Sequence, residues 1–510
     1  MNLIIESARV PLSGNNGLSE AMIVRPVGVD TYPCILIRTP YPRVAALTAN
    51  DGLTLAATGY VVVVQSSRGR HGTDGRFTAF LHEEEDGATS LNWCICQQWC
   101  NGRIFLMGKS YEGLAAWAAL KASPSLVTGL VVSMTASQPV HWFYEAGAFR
   151  QSFAQSWGLS LAYTDETNEA QLFEVIREYA RDLARLYAIN PCESPLLGFL
   201  PGYSDWLEPA QLTRLGRDYV RNRTAPVHMM TGWNDIFVRG ALADATDLNV
   251  LGDRIIIGPW SHNTVGQRIV GHVDYGVYAT TGEFDVCADR LAWMATVLSG
   301  ERSGGVSYFV LNSWNWEHCH HWPPSTRLIT LPLALEDELG TLGESLIPSS
   351  GIRLSRSTLV LSPGGRVHDP LLPLAGGFRF TDISDSPSTV LFATPLLAQQ
   401  LNLAGAVRVR LVISCQESFP LTAWLALRTP DDKYLSLATG FHWVTKAQEP
   451  QPIQFEFSEI AVQLPVASQF VVAFACSSWP EVYSPELSTI SAYLLNNDSM
   501  QLELSIVEPN

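Results

Sequence analysis

Charge is scarce in this chain. Only 16% of the residues are Asp, Glu, Lys or Arg, and acidic residues outnumber basic ones 49 to 33. The formal net charge is −16. Nucleic-acid binding needs a basic face, so this balance argues against a nucleic-acid partner. Long apolar runs are missing too. No stretch approaches the roughly 18 apolar residues that suggest a membrane span, and no membrane partner is expected. The opening MNLIIESARVPLSG has no basic start, and Glu6 breaks its apolar run, so it does not read as a signal peptide. Internal repeats and low-complexity segments are absent. The nine cysteines are odd in number and scattered among apolar neighbours. That fits free thiols in a reducing cytoplasm. Cys94, Cys96 and Cys100 cluster in LNWCICQQWC, and Cys319 sits in EHCHHW. This spacing lacks a matching second pair of ligands, so buried thiols are expected and no metal site is assigned.

Apolar residues are what the chain has in plenty, 47% of 510. Single cores stop growing at roughly 250–300 residues, so two or three domains are expected. Residues 1–137 alternate strand and helix patterns. NLIIESARVPL, SEAMIVRPVG and CILIRTP read as strands. LTLAATGY leads into VVVVQSS, whose β-branched run suits a strand covered on both faces. DGATSLNWCICQQW has helical spacing, and RIFLMG and GLVVSMTA complete the set. Interleaved strands and helices imply an α/β fold with a mostly parallel sheet. Residues 138–224 read as helices, from HWFYEAGAFRQSFAQSWGLSLAY to EAQLFEVIREYARDLARLYAI, and are expected to form an inserted cap. The α/β pattern resumes over 225–325 with PVHMMTGW, VRGALADATDL and RIIIGPW. Residues 326–510 hold short strands, among them LVLSPGGRV, FRFTDI, AVRVRLVIS and QFVVAFACSS, between Gly, Pro, Asp and Ser. That is a β-sandwich or jelly-roll pattern.

Between RIFLM and the helical LAAWAALKA stands GKSYEG, residues 108–113. A serine hydroxyl attacks a carbonyl only with a base to take its proton, a carboxylate to orient the base, and donors where the oxyanion forms. Ser110 on a tight strand-to-helix turn fits such a nucleophile, with Gly108 letting the helix approach. The second glycine of the usual G-x-S-x-G is one position late, at Gly113, and Glu112 stands in its place. An α/β-hydrolase presents Ser, then Asp or Glu, then His at strand ends. PVHMMTGWNDIF places Asp235 after a strand, and RIIIGPWSHN places His262 after the next. Each has a plainer reading: Asp235 as an N-cap for IFVRGAL and His262 as a packing histidine. Their order and strand-end positions favour a Ser110–His262–Asp235 triad.

These motifs resemble the cocaine esterase, α-amino-acid ester hydrolase and Xaa-Pro dipeptidyl-peptidase (CocE/NonD) family of α/β-hydrolases. The G-x-S-Y-x-G pattern is met by Gly108, Ser110, Tyr111 and Gly113. G-W-x-D-x-F is met by Gly232, Trp233, Asp235 and Phe237, and G-P-W-x-H by Gly258, Pro259, Trp260 and His262. Pro40 and Tyr41 match a P-Y after an early strand. The resemblance implies an oxyanion hole made by the Tyr41 hydroxyl and the Tyr111 backbone N–H. It also implies an α/β-hydrolase core, an inserted helical cap and a C-terminal jelly-roll. The chain departs from the family at Ser66-Ser67-Arg68-Gly69, where an Asp is usual, at Trp293-Met294-Ala295 and at Gln416-Glu417-Ser418-Phe419.

The expected chemistry is acyl transfer from an ester or amide of a small-molecule or peptide-like substrate, with no metal or organic cofactor. Cap aromatics Trp142, Phe143, Phe149, Phe153 and Trp157, with Trp233 from the core, are candidates to line the acyl site, against plain core packing. Glu112 is a candidate for a substrate ammonium, against a solvated helix-start glutamate favoured by the helix dipole. Peptidase or acyltransferase chemistry on the same acyl-enzyme stays open, as does a catalytically silent binding protein. Homo-oligomerisation is also left open.

Overall fold

The structure is a computed structural model. It describes residues 2–163, 178, 186–187, 189–216, 219–221, 223–248, 252–271, 273–332, 334–335, 352–354, 368–369, 372–373, 379–380, 390–431, 434–476, 481–483, 492–494 and 501–507.

Ten strands build one sheet: β1 (Leu3–Pro11), β2 (Leu18–Pro26), β3 (Tyr32–Thr39), β4 (Val61–Ser66), β5 (Cys100–Lys109), β6 (Gly129–Ser133), β7 (Val227–Asn234), β8 (Arg254–Ser261), β9 (Gly305–Val310) and β10 (Asn315–Cys319). Their order is β1-β2-β4-β3-β5-β6-β7-β8-β9-β10. From β4 to β9 every neighbouring pair is parallel. The flanking pairs β1/β2, β2/β4 and β9/β10 are antiparallel. Every residue of β4 is buried, as its β-branched run requires of a strand covered on both faces. One face is covered by α1 (Arg43–Ala49) and α2 (Gly52–Ala57), whose Ala46, Leu47, Leu55 and Ala56 pack with Ile35, Val64 and Met107. The other carries α3 (Glu83–Ile95) and α4 (Tyr111–Ala122), which share a core cluster with Leu36, Val63 and Leu106. Parallel strands all end on the same side, so residues just after β3, β5, β7 and β8 gather along one edge.

Between β6 and β7 the chain leaves the sheet. It forms α5 (Val140–Phe143), a hairpin of Tyr144–Glu145 with Ala148–Phe149, and α6 (Gln151–Tyr163). The hairpin interrupts a stretch expected to be helical throughout. Ala146 and Gly147 both have positive φ, 42° and 83°, the combination a two-residue primed turn needs. Short helices Leu196–Phe199, Tyr203–Trp206 and Pro209–Leu215 follow. Most of the helix expected over EAQLFEVIREYARDLARLYAI lies outside the described residues.

The C-terminal region is an all-β domain of antiparallel sheets. The long strand Leu401–Cys415 pairs with Ala447–Glu456, Ile460–Leu464 and Gln501–Val507. A second sheet sets Phe419–Arg428 between Tyr434–Val444 and Gln469–Ala475. The strands expected at LVLSPGGRV and FRFTDI lie outside the described residues, apart from the pair Arg379–Phe380. The β-domain grips both other parts. Leu311 exchanges backbone hydrogen bonds with Ala461 and Gln463, and Trp443 N–H donates to the carbonyl of Ala146 in the cap hairpin.

The cysteine expectation needs correcting in part. Cys34, Cys94, Cys415 and Cys476 are buried, but Cys96 and Cys192 are exposed.

Candidate active site

Ser110 sits between β5 and α4 with φ 57° and ψ −125°, a conformation that a residue with a Cβ adopts only when its surroundings force it. The forcing comes from close packing. A Cβ on Gly108 would lie 2.2 Å from the Glu112 carbonyl carbon, and one on Gly113 would lie 2.7 Å from Thr135 Cγ2. Both positions must therefore be glycine for α4 to seat on the sheet. The late second glycine serves this purpose as well as one at position 112 would. Ser110 N–H donates to the Ser133 carbonyl at the end of β6 (2.9 Å), which fixes the turn to the sheet.

Asp235 and His262 follow β7 and β8. Their carboxylate and Nδ1 are 2.8 Å apart, and Asp235 is buried. A carboxylate only accepts, so Nδ1 carries the proton and Nε2 is left as the ring's acceptor. The other carboxylate oxygen accepts from Phe237 N–H (2.7 Å). The helix Val238–Asp247 starts beyond it with Phe237 at its N-cap position. Asp235 thus shapes the turn before the helix and is not its cap. The motif tryptophans lock the strand ends. Trp233 Nε1–H donates to the Phe309 carbonyl (2.6 Å) and Trp260 Nε1–H to that of Ala279 (2.8 Å). Asn234 reaches across to the Pro259 carbonyl (2.7 Å), tying the two carrying turns together. From the cap, buried Arg150 donates to the Ile236 carbonyl (2.6 Å).

Ser110 and His262 line one cavity of about 220 Å³. Tyr41, just past β3, lines it as well. Its hydroxyl accepts from Trp157 Nε1–H at 3.0 Å, so its own proton remains free to donate. Burial pushes the Tyr41 phenol well above the usual range, which keeps it a donor. Tyr111 is buried, and its ring hydroxyl donates to Glu83 (2.8 Å) and accepts from Phe80 N–H (2.8 Å). As the first residue of α4 its backbone N–H has no intrahelical acceptor. From the cap, Phe153, Ser156, Trp157 and Ser160 contribute one face of α6, with Trp142 and Ile236 beside them. Their spacing of three, one and three residues is that of a single helix face.

Three of the expected aromatics lie elsewhere. Phe143 stacks on Trp206 with ring centres 4.7 Å apart, Phe149 packs against Tyr144, and Trp233 packs against Trp322. None of the three lines the cavity. Phe143 and Phe149 precede α6 and turn into the cap core, while the indole of Trp233 is spent on Phe309.

Glu112 does reach the cavity, but it is neither solvated nor unpaired. Its Oε1 accepts from Thr39 Oγ1 (2.8 Å) and its Oε2 from Asn50 Nδ2 (2.7 Å). Burial raises its pKa, opposed by these hydrogen bonds. The Thr39 oxygen in turn accepts from Tyr41 N–H (3.1 Å). Glu112 therefore links the start of α4 to the segment carrying Tyr41.

Sequence reasoning missed Lys109, Ala45, Ala46, Ala49, Ser156, Ser160, Ile236 and Asn263, all in the lining. Lys109, Ile236 and Asn263 each adjoin a singled-out residue, and the serines were legible from the 153–157 face. The alanines of α1 carried no signal.

The fold and the comparisons define a hydrolase of the esterase and peptidase type. A model of the X-Pro dipeptidyl-peptidase (S15) family matches residues 19–264. The cocaine esterase of Rhodococcus sp. is 25% identical over 464 residues, covering 82% of this chain and 79% of that protein. The chain is thus similar to cocaine esterase over most of its length and to X-Pro dipeptidyl-peptidases over residues 19–264. The fold agrees. An aminopeptidase from a marine sediment Thaumarchaeota archaeon superposes with a TM-score of 0.74 at 15% identity, over 100% of this chain and 97% of its own. An α-amino-acid ester hydrolase gives 0.69 at 16% identity, over 99% and 96%.

Proposed function

We propose that Ser110, His262 and Asp235 form a catalytic triad that cleaves an ester or amide through an acyl-enzyme. The observation that carries this is the convergence of Ser110, His262 and Tyr41 on one cavity, with His262 anchored to buried Asp235 at 2.8 Å. His262 Nε2 takes the Ser110 proton as Oγ bonds to the substrate carbonyl carbon. The Tyr41 hydroxyl and Tyr111 N–H donate to the oxyanion. The imidazolium then protonates the leaving alcohol or amine as its bond to carbon breaks. A water, deprotonated by His262, attacks the acyl-enzyme and releases the acid and free serine. Asp235 holds the tautomer throughout. Trp142, Phe153 and Trp157 give the acyl group an apolar wall. Glu112 is assigned a positioning role, through Thr39, toward Tyr41.

The test is mass spectrometry after a fluorophosphonate probe, with kinetics on p-nitrophenyl esters. Wild type should gain one adduct and Ser110→Ala none, with kcat lowered about 10³-fold or more. Adduct formation or full turnover in the variant would overturn the triad.

A further inference from the structure

β5 alternates its side chains, as any strand does. Met107 packs in the cluster that holds α1 and α2. Lys109, two residues on, projects on the same side and meets the cavity where Ala45, Ala46 and Ala49 of α1 line it. Among the described residues it is the one lysine or arginine in that lining, and it directly precedes Ser110. Among the described residues its ammonium has no hydrogen-bond or ion-pair partner. The two carboxylates whose charge it feels are Asp235 and Glu112. Both are committed elsewhere: Asp235 to His262 and Phe237 N–H, Glu112 to Thr39 and Asn50. Burial pulls the amine's pKa down while these two carboxylates pull it up. The side chain is half-buried, and its ammonium has three donors to offer to the cavity. A ligand oxygen beside Ser110 would accept from them.

We infer that Lys109 is a substrate-binding residue that recognises an anionic oxygen group, a carboxylate above all, on the ester or amide that Ser110 attacks. The inference rests on the triad reading and narrows its substrate class. The cavity then has two unlike sides, an aromatic one from α6 for the apolar part of the substrate and a cationic one from Lys109. A positively charged substrate, the expectation attached to Glu112, is disfavoured by the same arrangement. An ammonium entering there would meet Lys109, and the Glu112 oxygens already accept from Thr39, Asn50 and the Lys109 backbone N–H.

Two matched ester pairs test this. One sets p-nitrophenyl butyrate against the mono-p-nitrophenyl ester of glutaric acid, placing the charge on the acyl side. The other sets phenyl acetate against 4-carboxyphenyl acetate, placing it on the leaving group. In at least one pair, Lys109→Met should lower the anionic-to-neutral ratio of kcat/KM about tenfold or more, and Lys109→Arg should retain most of it. An unchanged ratio in both pairs for Lys109→Met overturns the inference. A second measurement needs no variant: glutarate should slow fluorophosphonate labelling of the wild type more than glutaramide does. Equal protection by the two also counts against it. Absence of labelling at Ser110 would instead bring down the triad reading, so the two failures are distinct.

Discussion

Two kinds of wall meet at the cavity, and they are built differently. The strand-end wall carries Ser110, His262 and Tyr41, held by directed hydrogen bonds to backbone groups. Ser110 N–H is tied to β6, the Asp235 turn is pinned by Asn234 and Trp233, and Tyr41 N–H is tied to Thr39. The cap wall is one face of α6, where Phe153 and Trp157 stack in parallel with ring centres 5.9 Å apart. There, position comes from side-chain packing. The difference teaches where precision is needed. The groups proposed to meet the reacting atoms sit at strand ends, and those proposed to meet the rest of the substrate sit on one helix face. Among the contacts that cross between the walls, the hydrogen bond from Trp157 reaches the Tyr41 hydroxyl itself.

The largest effect after loss of Ser110 itself should come from the strand-end wall. Tyr41→Phe removes one oxyanion donor and should lower kcat about 10²-fold while KM moves little. Steady-state kinetics on one neutral ester checks this, and an unchanged kcat would place the oxyanion elsewhere. Trp157→Phe keeps an aromatic ring on the apolar wall, though a smaller one, and removes the N–H. Its expected loss is about fivefold in kcat, the worth of one hydrogen bond at ~1 kcal/mol. In a Tyr41→Phe background the same change should cost almost nothing, because Trp157 acts through Tyr41. Additive losses in the double variant would make Trp157 a plain packing residue. Glu112→Gln should slow amino and des-amino esters alike, since Glu112 acts through Thr39 and not on a substrate ammonium. Selective loss of the amino ester would reverse that assignment.

The smallest effect concerns how the cap is attached. Buried Asp244 accepts from Ser137 N–H (2.7 Å) and Ser137 Oγ (2.6 Å), where the chain passes from β6 into the cap. Burial raises its pKa from 3.8 to about 7, against the pull of those two hydrogen bonds. The folded form therefore holds a proton that the unfolded chain loses first. This group's contribution to stability is fully present below pH 3.8 and is lost as pH rises toward 7. Asp244→Asn should flatten the fall in melting temperature across that window. An unaltered profile would remove Asp244 from the account.

The three chemical motifs, their order and their strand-end positions were legible in the sequence because they depend on local rules. A glycine is needed where backbones touch, a β-branched run where a strand is buried on both faces, and a polar residue at the turn that follows. The all-β C-terminal texture was legible for the same reason. The cap was read less well: a hairpin replaced part of an expected helix, since two positive φ values at Ala146 and Gly147 leave little trace in composition. Which aromatics face the cavity was decided only by packing, which took Trp142, Phe153 and Trp157 and left Phe143, Phe149 and Trp233 in the core. Likewise, Glu112 could be placed near Ser110 from sequence. That its oxygens are held by Thr39 and Asn50, and that the neighbouring Lys109 ammonium has no partner among the described residues, followed from chain segments far apart in sequence. Local backbone rules named the groups proposed to react. Long-range contacts, which no local pattern encodes, decided what surrounds them.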